Sequence, residues 1–495
     1  MEIGFDNEKY LKMQSEHIRD RIQKFGGKLY LEFGGKIFDD YHASRVLPGF
    51  KPDSKISMLS EFGEQAEALV VVNAEHIENN KKREDLGIAY DMEVLRMVDS
   101  FIARKIPVVG IVVTQYTGQG SADAFIKKAE SLDLKVYRHY PITGYPANIP
   151  LIVSDEGYGR NEYIETKRPL VVVAAPGPGS GKMAVCLSQL YHEHKRGISA
   201  GYAKFETFPI WNLPLTHPIN IAYEAATAEL ADSNMIDPFH MDAYGESATN
   251  YNRDVEIFPV LNAILAEIYG ESPYKSPTDM GVIMAGNCII DDYVVRKAAC
   301  NEIVRRYFSA MRNRREGKVG SDVVFRMEVN MRRAGVDVDY RKVVTTVRDK
   351  MTKMDNPIVA VELPDGTIVT GKASKLLRAS AAMMLNALKI LAGIDDSVLL
   401  ISPDVIKSMQ RLKVEYLGNK NPRLHLDEML VALSIAANTD PMAEAAFSKI
   451  PELKGCEAHS SVIIPAVDER IYKKLGMNFT CEPEYISKCL FHDTN

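Results

Sequence analysis

The chain has 495 residues, too many for one hydrophobic core, so about two to four domains are expected. Apolar residues make up 46% and charged residues 25%, which is typical of a globular protein and argues against extensive disorder. The net charge of −6 and the pI near 6.1 indicate no general affinity for nucleic acids or membrane surfaces. The longest apolar runs, such as residues 170–176, are far shorter than the ~20 residues that cross a bilayer.

The N-terminal sequence and the cysteines bear on the cellular compartment. The first residues, MEIGFDNEKY, are acidic and polar and have neither the basic nor the apolar region of a signal peptide. The six cysteines form no C-x-x-C pair and are too sparse for a disulfide scaffold. We therefore expect a cytoplasmic protein with free thiols.

Helix-like and strand-like segments alternate in the first third of the chain. Amphipathic spacing predicts helices over 7–25, 90–105 and 121–134. Apolar, β-branched runs predict strands over 28–33, 68–74, 107–114, 134–140 and 149–154. Such strands, separated by helices, are typical of a parallel sheet that is covered on both faces. The expected fold class is α/β, with a Rossmann-like, doubly wound sheet that binds ligands at the carboxyl ends of its strands.

The same alternation continues from residue 169 to about 310 and leads into a basic helical stretch. Periodicity leaves open whether the strands at 169–176 and 198–206 extend the first sheet or form their own. Residues 296–350 contain 15 lysines and arginines against 7 acidic residues. This excess predicts either solvated helix faces or a groove for an acidic or phosphate ligand. No interleaved aromatic residues indicate a nucleic-acid surface.

A second α/β unit is predicted after Asn356–Pro357. Residues 358–371 alternate on both sides of Pro364-Asp365-Gly366, which predicts a hairpin. A helix over 373–393, a strand over 398–402 and a final strand–helix–strand follow. The expected organisation is a Rossmann-like domain (1–165), an α/β region with a glycine loop (166–310), a basic helical segment (311–355) and a C-terminal α/β domain (356–495).

The strongest local signal for function is the glycine loop between a buried strand and a helix that begins near Lys182. Gly177, Gly179 and Gly181 let backbone N–H groups approach an anion, and the helix start adds unpaired N–H groups. Gly177, Gly179, Ser180, Gly181 and Lys182 are therefore the predicted phosphate-binding residues, with Lys182 also a candidate for catalysis.

The loop departs from the P-loop pattern G-x-x-x-x-G-K-[ST] at two positions. Pro176 replaces the first glycine, and Met183 replaces the hydroxyl residue that holds Mg²⁺. Phosphate binding through backbone donors tolerates both changes, whereas phosphoryl transfer of the usual kind with Mg²⁺ is put in doubt. The alternative is a purely structural turn.

A dinucleotide site is a second interpretation of the same loop. The spacing G-x-G-x-G at 177–181 is one residue short of the fingerprint G-x-G-x-x-G, but the next strand ends in Glu206, which could bind a ribose hydroxyl. Lys204 and the short spacing count against this interpretation.

Further polar residues follow the loop and could supply acid–base or metal chemistry. Glu206, Asp237 and His240 are the candidates for catalysis, and His217 and Asp254 belong to the same polar series. Upstream, Asp155 and Glu156 follow a predicted strand in a run similar to the GDEGKGK loop of adenylosuccinate synthetases, although Tyr158 and Arg160 replace its lysines. For each of these residues a structural role is the competing interpretation.

No zinc site is predicted. The run YHEHK at 191–195 lacks the second histidine of H-E-x-x-H, and Cys456 with His459 lacks further ligands at a recognised spacing.

Long stretches of the chain resemble a bacterial family, uncharacterised protein family 0371. They are KLYLEFGGKIFDDYHASRVLPGF, SDEGYGRNEYIET, APGPGSGKMAVCLSQLYHE, KFETFPIWNLPLTHPINIAYEAATAEL and LKGCEAHSSV. The resemblance implies an N-terminal Rossmann-like region, a helical or hairpin insert and a separate C-terminal α/β subdomain. Some members are labelled ATP-dependent zinc protease; the missing H-E-x-x-H gives no support to zinc, and the imperfect P-loop is the basis for ATP.

Three functions follow from these features. The first is an enzyme that acts on a small phosphorylated metabolite or nucleotide, with ATP or another phosphate ligand and Mg²⁺ as the cofactor. The second is an NAD(P)-dependent oxidoreductase that uses the same loop. The third is a non-catalytic sensor or assembly protein whose C-terminal unit forms homo-oligomers. All three bind a small phosphate-bearing molecule, with neither nucleic acid nor a membrane as a partner.

Overall fold

The computed structural model describes residues 2–83, 86–351 and 356–486. The chain divides into two compact units, an N-terminal unit (Glu2–Ala299) and a C-terminal unit (Cys300–Asn495). Within the described ranges, no helix combines the length and the apolar character needed to cross a membrane.

A parallel sheet forms the centre of the N-terminal unit. The strands of this unit are β1 (Leu29–Phe33), β2 (Ala66–Asn73), β3 (Lys82–Arg83), β4 (Ile88–Ala89), β5 (Val108–Thr114), β6 (Val136–Arg138), β7 (Leu170–Ala174), β8 (Gly201–Phe205), β9 (Asn234–Ile236), β10 (Thr249–Tyr251) and β11 (Gly281–Val282). Seven of them form one sheet in the order β11-β8-β1-β7-β2-β5-β6, and every pairing in it is parallel. Strands from both sides of residue 166 therefore belong to the same sheet.

Helices cover both faces of this sheet. They are α1 (Asn7–Lys24), α2 (Tyr41–Val46), α3 (Ser54–Ser60), α4 (Ala74–Glu78), α5 (Tyr90–Ala103), α6 (Gly120–Glu130), α7 (Ile149–Ile152), α8 (Lys182–Lys195), α9 (Pro218–Ala226), α10 (Pro238–Tyr244), α11 (Asn252–Tyr269) and α12 (Pro277–Met280). Apolar residues of α8 and α11 pack on one face, where they contact Tyr30, Val71 and Val173. The predicted α/β class with a doubly wound sheet is confirmed.

The order in which successive strands are added to the sheet reverses at its centre. From β2 the chain crosses through α5 to β5 on one side, and from β7 it crosses through α8 to β8 on the other. Because parallel crossovers are right-handed, α5 and α8 lie on opposite faces. The carboxyl ends of β2 and β7 thus flank a switch point, which is where open α/β sheets bind ligands.

Two predicted strands are wrong. Residues 149–154 contain helix α7, because Pro150 lies in the first turn and the Asn148 side chain accepts a hydrogen bond from the Leu151 N–H at 3.3 Å. Residues 398–402 are irregular, with a bend at 400–401 before Ser402, the N-cap of the next helix. Short apolar runs do not distinguish a strand from a buried helix or turn.

The C-terminal unit contains a smaller mixed sheet. Its strands are β12 (Ile358–Glu362), β13 (Ile368–Lys372), β14 (Glu457–Ser460) and β15 (Asn478–Cys481), in the order β13-β12-β14-β15. Its helices are α13 (Asp292–Arg315, across the division), α14 (Ser321–Ala334), α15 (Lys342–Met351), α16 (Ala379–Leu391), α17 (Pro403–Arg411), α18 (Leu426–Ala436), α19 (Pro441–Phe447) and α20 (Ala466–Lys474). The predicted hairpin is confirmed as the antiparallel pair β12–β13, and β14 pairs in parallel with β15.

Many arginines of the basic stretch neutralise carboxylates inside the C-terminal unit. The pairs are Arg305 with Glu302 and Glu457, Arg306 with Glu302, Arg312 with Glu469, Arg341 with Glu457, and Arg348 with Glu482. Arg305 and Arg341 are buried and do not form a solvated face, whereas the Arg348 side chain is 40% exposed. Their charge holds α13 and α15 to the strands and helix that supply the acids.

Candidate functional site

The glycine loop lies at the switch point of the parallel sheet. It follows β7 and ends where α8 begins at Lys182. The Asn73 side chain at the end of β2 donates to the Gly179 carbonyl at 3.3 Å, and the Thr114 hydroxyl at the end of β5 donates to the Ser180 carbonyl at 2.7 Å. The ends of two neighbouring strands therefore fix the backbone of the loop.

Contacts inside the loop set its shape. The buried Ser180 hydroxyl donates to the Gly177 carbonyl at 2.8 Å, so this side chain braces the turn. Gly179 and Gly181 have φ of 75° and 88°, a left-handed conformation that side chains disfavour. A Cβ at Gly177 would lie 2.1 Å from the Tyr90 hydroxyl, so only glycine allows this close approach.

We expect Gly181→Ala to destabilise the protein more than Gly197→Ala does. Both glycines have positive φ, so each alanine costs roughly 1–2 kcal/mol of backbone strain. At Gly197 a Cβ meets no atom within 4 Å, whereas at Gly181 it would lie 2.9 Å from the Thr114 hydroxyl oxygen. The free energy of unfolding in urea measures both variants, and equal losses would show that the loop relaxes away from Thr114.

Donors at the start of α8 are available to an anion. The first-turn N–H groups of a helix have no intrahelical acceptor, and the Gly181 N-cap provides no side-chain cap. Lys182 is half-buried, and its ammonium has no hydrogen-bond or ion-pair partner among the residues that the structure describes. The loop thus offers backbone donors and one positive charge.

A second group of side chains, which the sequence does not single out, borders the loop. The ring of His76 in α4 would lie 3.4 Å from a Cβ added at Gly179. Its Nε2 lies 3.4 Å from the Lys81 ammonium. Burial, followed by the charge of Lys81, lowers the pKa of His76 to about 4, so the imidazole is neutral at neutral pH. Its buried Nδ1 has no hydrogen-bond partner in the described chain. Lys81 therefore brings a second positive charge to this edge of the sheet.

Glu206 lies in a buried charged cluster at the same sheet edge. It follows β8, its Oε1 lies 2.8 Å from the Lys204 ammonium, and Lys204 also pairs with Asp254. Since β8 and β7 both neighbour β1 and strands lie about 4.8 Å apart, Glu206 is about 10 Å from the start of the loop. Burial raises the pKa of Glu206 to about 7; the nearby Asp254 carboxylate adds to the rise, and Lys204 opposes it.

Both parts of the chain match families of known sequences. Residues 3–335 match the domain of unknown function DUF1846, N-terminal, and residues 339–491 match DUF1846, C-terminal. The chain belongs to the DUF1846 family. A UPF0371 protein of Corynebacterium urealyticum is 54% identical over 99% of both chains, and one of Streptococcus thermophilus is 51% identical over 97% of this chain and 98% of its own. The predicted membership of family 0371 is confirmed.

In this DUF1846 protein, Asp237 and His240 belong to a separate group of contacts. Asp237 is fully buried, caps α10 and accepts hydrogen bonds from the Thr278 N–H and hydroxyl at 3.2 and 2.6 Å. His240 Nδ1 lies 3.0 Å from the Ser276 hydroxyl, and His217 caps α9. No hydrogen bond or ion pair within the described ranges joins these residues to the glycine loop. Their contacts stabilise helix ends, and a catalytic role for them stays a prediction.

Asp155 lies at the wrong end of α8 to assist the loop. Its carboxylate is exposed, pairs with Lys195 and accepts a hydrogen bond from the Tyr191 hydroxyl at 2.8 Å. These partners follow Lys182 by 9 and 13 residues, which is about 14–20 Å along a helix. The expectation that Asp155 lies at the end of a strand is wrong, because it follows helix α7, and a role of Asp155 in metal or acid chemistry stays a prediction.

The C-terminal cysteine and histidine do not converge on one point. Cys456 belongs to the apolar core, whereas His459 Nδ1 lies 2.8 Å from the Thr480 hydroxyl and its Nε2 faces Glu482. In residues 2–83, 86–351 and 356–486, no group of three or more His, Cys, Asp or Glu side chains is placed to hold a metal ion.

Proposed function

We propose that the DUF1846 protein is an enzyme that binds a small phosphorylated metabolite or a nucleotide through Gly177–Lys182. The observation that carries the proposal is the position of this loop: it joins β7 to α8 at the switch point of the sheet and is held by Asn73 and Thr114. Backbone N–H groups at a helix start, together with an unpaired lysine, are the donor set that phosphate needs.

The surrounding charges support a ligand with more than one negative charge. Lys81 and Lys182 place two positive charges near the same loop. His76 beside them is neutral and adds no charge. Since Met183 replaces the hydroxyl ligand, any Mg²⁺ would be held mainly by phosphate oxygens and water. These features favour a di- or triphosphate over a neutral ligand.

Glu206 is the side chain best suited to acid–base chemistry on such a ligand. Its pKa of about 7 allows it to give or take a proton at neutral pH. Its place about 10 Å from the loop fits a substrate whose phosphate lies on Gly177–Lys182 and whose reacting group extends past the end of β1.

Lys182→Ala is expected to weaken binding of the best-binding ligand among phosphate, ATP and NAD⁺ by about 10- to 100-fold. A hydrogen bond to a charged group contributes roughly 1.5–3 kcal/mol, which corresponds to this change in affinity. Isothermal titration calorimetry on the full chain gives the dissociation constants. Lys195→Ala removes a lysine from the other end of the same helix and should leave them unchanged.

The same titrations separate the three functions. Tighter binding of ATP or phosphate supports the proposal, whereas tighter binding of NAD⁺ points to the oxidoreductase. Binding without turnover across a metabolite screen favours a sensor. Equal affinity in the wild type and in Lys182→Ala contradicts a phosphate site at this loop.

A further inference from the structure

A cavity of about 150 Å³ lies in the C-terminal unit, beside the first turn of α16. Arg378, Ser380 and Asp468 line it on its polar side, and Val462 and Ile464 line it on its apolar side. The sequence gives no sign of this cavity, because its walls come from segments far apart in the chain: α16, the residues before α18, the segment that follows β14, and α20.

Arg378 is a buried cation without a partner. It is the N-cap of α16, only 7% of its surface is exposed, and its Nε and Nη2 have no hydrogen-bond partner among the described residues. These two nitrogens form one edge of the guanidinium, and their parallel N–H groups match the two oxygens of a carboxylate. Burial lowers the pKa of Arg378, and the nearby Asp468 carboxylate opposes this change. A buried charge of this kind is costly unless something pairs with it.

Asp468 is a buried carboxylate with one oxygen unpaired among the described residues. It lies in the first turn of α20 and is 1% exposed. Its Oδ1 accepts a hydrogen bond from the Leu426 N–H at 3.0 Å and lies 3.3 Å from His425 Nδ1. Its buried Oδ2 has no partner in the part of the chain that the structure describes.

Arg378 and Asp468 face one cavity, which Arg423 also lines, and they do not pair with each other. No ion pair joins Arg378 to Asp468 within the described residues, although the carboxylate acts on the guanidinium electrostatically. A simple anion would neutralise Arg378 but would be repelled by Asp468, and a simple cation would meet the opposite problem. A molecule with both charges would satisfy both side chains.

We propose that this cavity binds a small zwitterion of the α-amino acid class. Its carboxylate lies on the Nε–Nη2 edge of Arg378 and near the uncapped first-turn N–H groups of α16, and its ammonium lies on Asp468 Oδ2. Val462 and Ile464 contact its side chain, which favours a small apolar one. The site is separate from the glycine loop, and the proposal does not depend on phosphate binding there.

A thermal-shift panel on the full chain tests this proposal. The probes are small apolar L-amino acids, the same amino acids with an acetylated amine, the corresponding amides and inorganic phosphate. At least one free amino acid is expected to raise the melting temperature in proportion to the logarithm of its concentration, while its acetylated and amide forms do not. Arg378→Met should abolish this shift, and Lys182→Ala should preserve it.

Two controls separate binding from stability. Arg470→Met removes an exposed arginine from the same helix as Asp468 and should keep the full response. Without ligand, Arg378→Met should melt no lower than the wild type, because it removes a buried charge that has no partner. The proposal is overturned if no amino acid shifts the wild type, if acetylated amino acids or phosphate act equally well, or if Arg378→Met keeps the response.

Discussion

Glu457→Gln is expected to destabilise the C-terminal unit by about 3–5 kcal/mol, the largest effect that we predict for a single change of charge. Glu457 lies on β14 and accepts charge-assisted hydrogen bonds from two arginines. Its Oε1 lies 2.5 Å from Arg305 Nη1, and its Oε2 lies 2.7 Å from Arg341 Nη2. The glutamine keeps the shape of the side chain, removes its charge and replaces one of the two accepting oxygens with an NH₂ group, which cannot accept from an arginine.

Both arginines are buried, which makes the loss large. Arg341 is 2% exposed and Arg305 is 8% exposed. Arg305 keeps Glu302 in the variant, but Arg341 is left with the Thr480 hydroxyl and backbone carbonyls. Burial lowers the pKa of Arg341, Glu457 counteracts this, and the charge of Arg305 adds to the lowering. Without the carboxylate, the two buried guanidinium groups repel each other.

Amide hydrogen exchange measures the local stability of the strands and does not require the whole protein to unfold in a single transition. The protection of β14 and β15 should fall by about two to four orders of magnitude, the factor that 3–5 kcal/mol corresponds to. Glu415→Gln is the matched control, because its ion pair with Arg411 is about 60% exposed on both sides and should change protection little. Equal protection in Glu457→Gln and the wild type would show that water or a neighbouring side chain replaces the carboxylate.

The sheet was predictable because its central strands leave a strong local pattern. Strands β1, β7 and β8 are buried at every position; β7 is a continuous apolar run, and β1 and β8 are apolar apart from Glu32 and Lys204. Strand order was not predictable, since periodicity does not tell which strands become neighbours. The strand pairing shows that β7 lies between β1 and β2, although about 100 residues separate β2 from β7 along the chain. That insertion creates the switch point.

Of the candidate site, only the part that is contiguous in sequence was predictable. Gly177–Lys182 is a contiguous motif, so its chemistry can be read locally. Asn73, His76 and Tyr90 reach the loop only because β2 pairs with β7, and no local pattern marks them. Likewise, the sequence did not show that arginines of the basic stretch pair with Glu457 and Glu469, because these acids lie more than 100 residues away from them.

The charge cluster around Glu206 has one ammonium for two carboxylates. Lys204 pairs with both Glu206 and Asp254, and all three side chains are at most 14% exposed. Two negative charges and one positive charge in a site of low polarity leave a net charge that water cannot solvate. Burial of Glu206 and, to a smaller extent, the Asp254 carboxylate favour its protonated form against the opposing charge of Lys204, and the pKa of Glu206 rises to about 7.

Glu206→Gln should therefore flatten the pH dependence of stability. A carboxyl whose pKa is higher in the folded state than its model value of 4.5 binds its proton more tightly when folded. The stability that this proton contributes is fully present below pH 4.5 and is lost as the pH rises through about 7. Between pH 5 and pH 8, the wild type should lose roughly 2–3 kcal/mol more than Glu206→Gln, whose amide imitates the protonated acid at every pH.

Urea unfolding of the two proteins at several pH values measures this difference directly. Glu61→Gln, which replaces an exposed glutamate of the same unit, is the control and should follow the wild type at each pH. Parallel curves for Glu206→Gln and the wild type would mean that Glu206 stays ionised beside Lys204 across the range. In that case Glu206 would be an unsuitable proton donor, and the acid–base step would have to come from another group at the carboxyl edge of the sheet, such as His76.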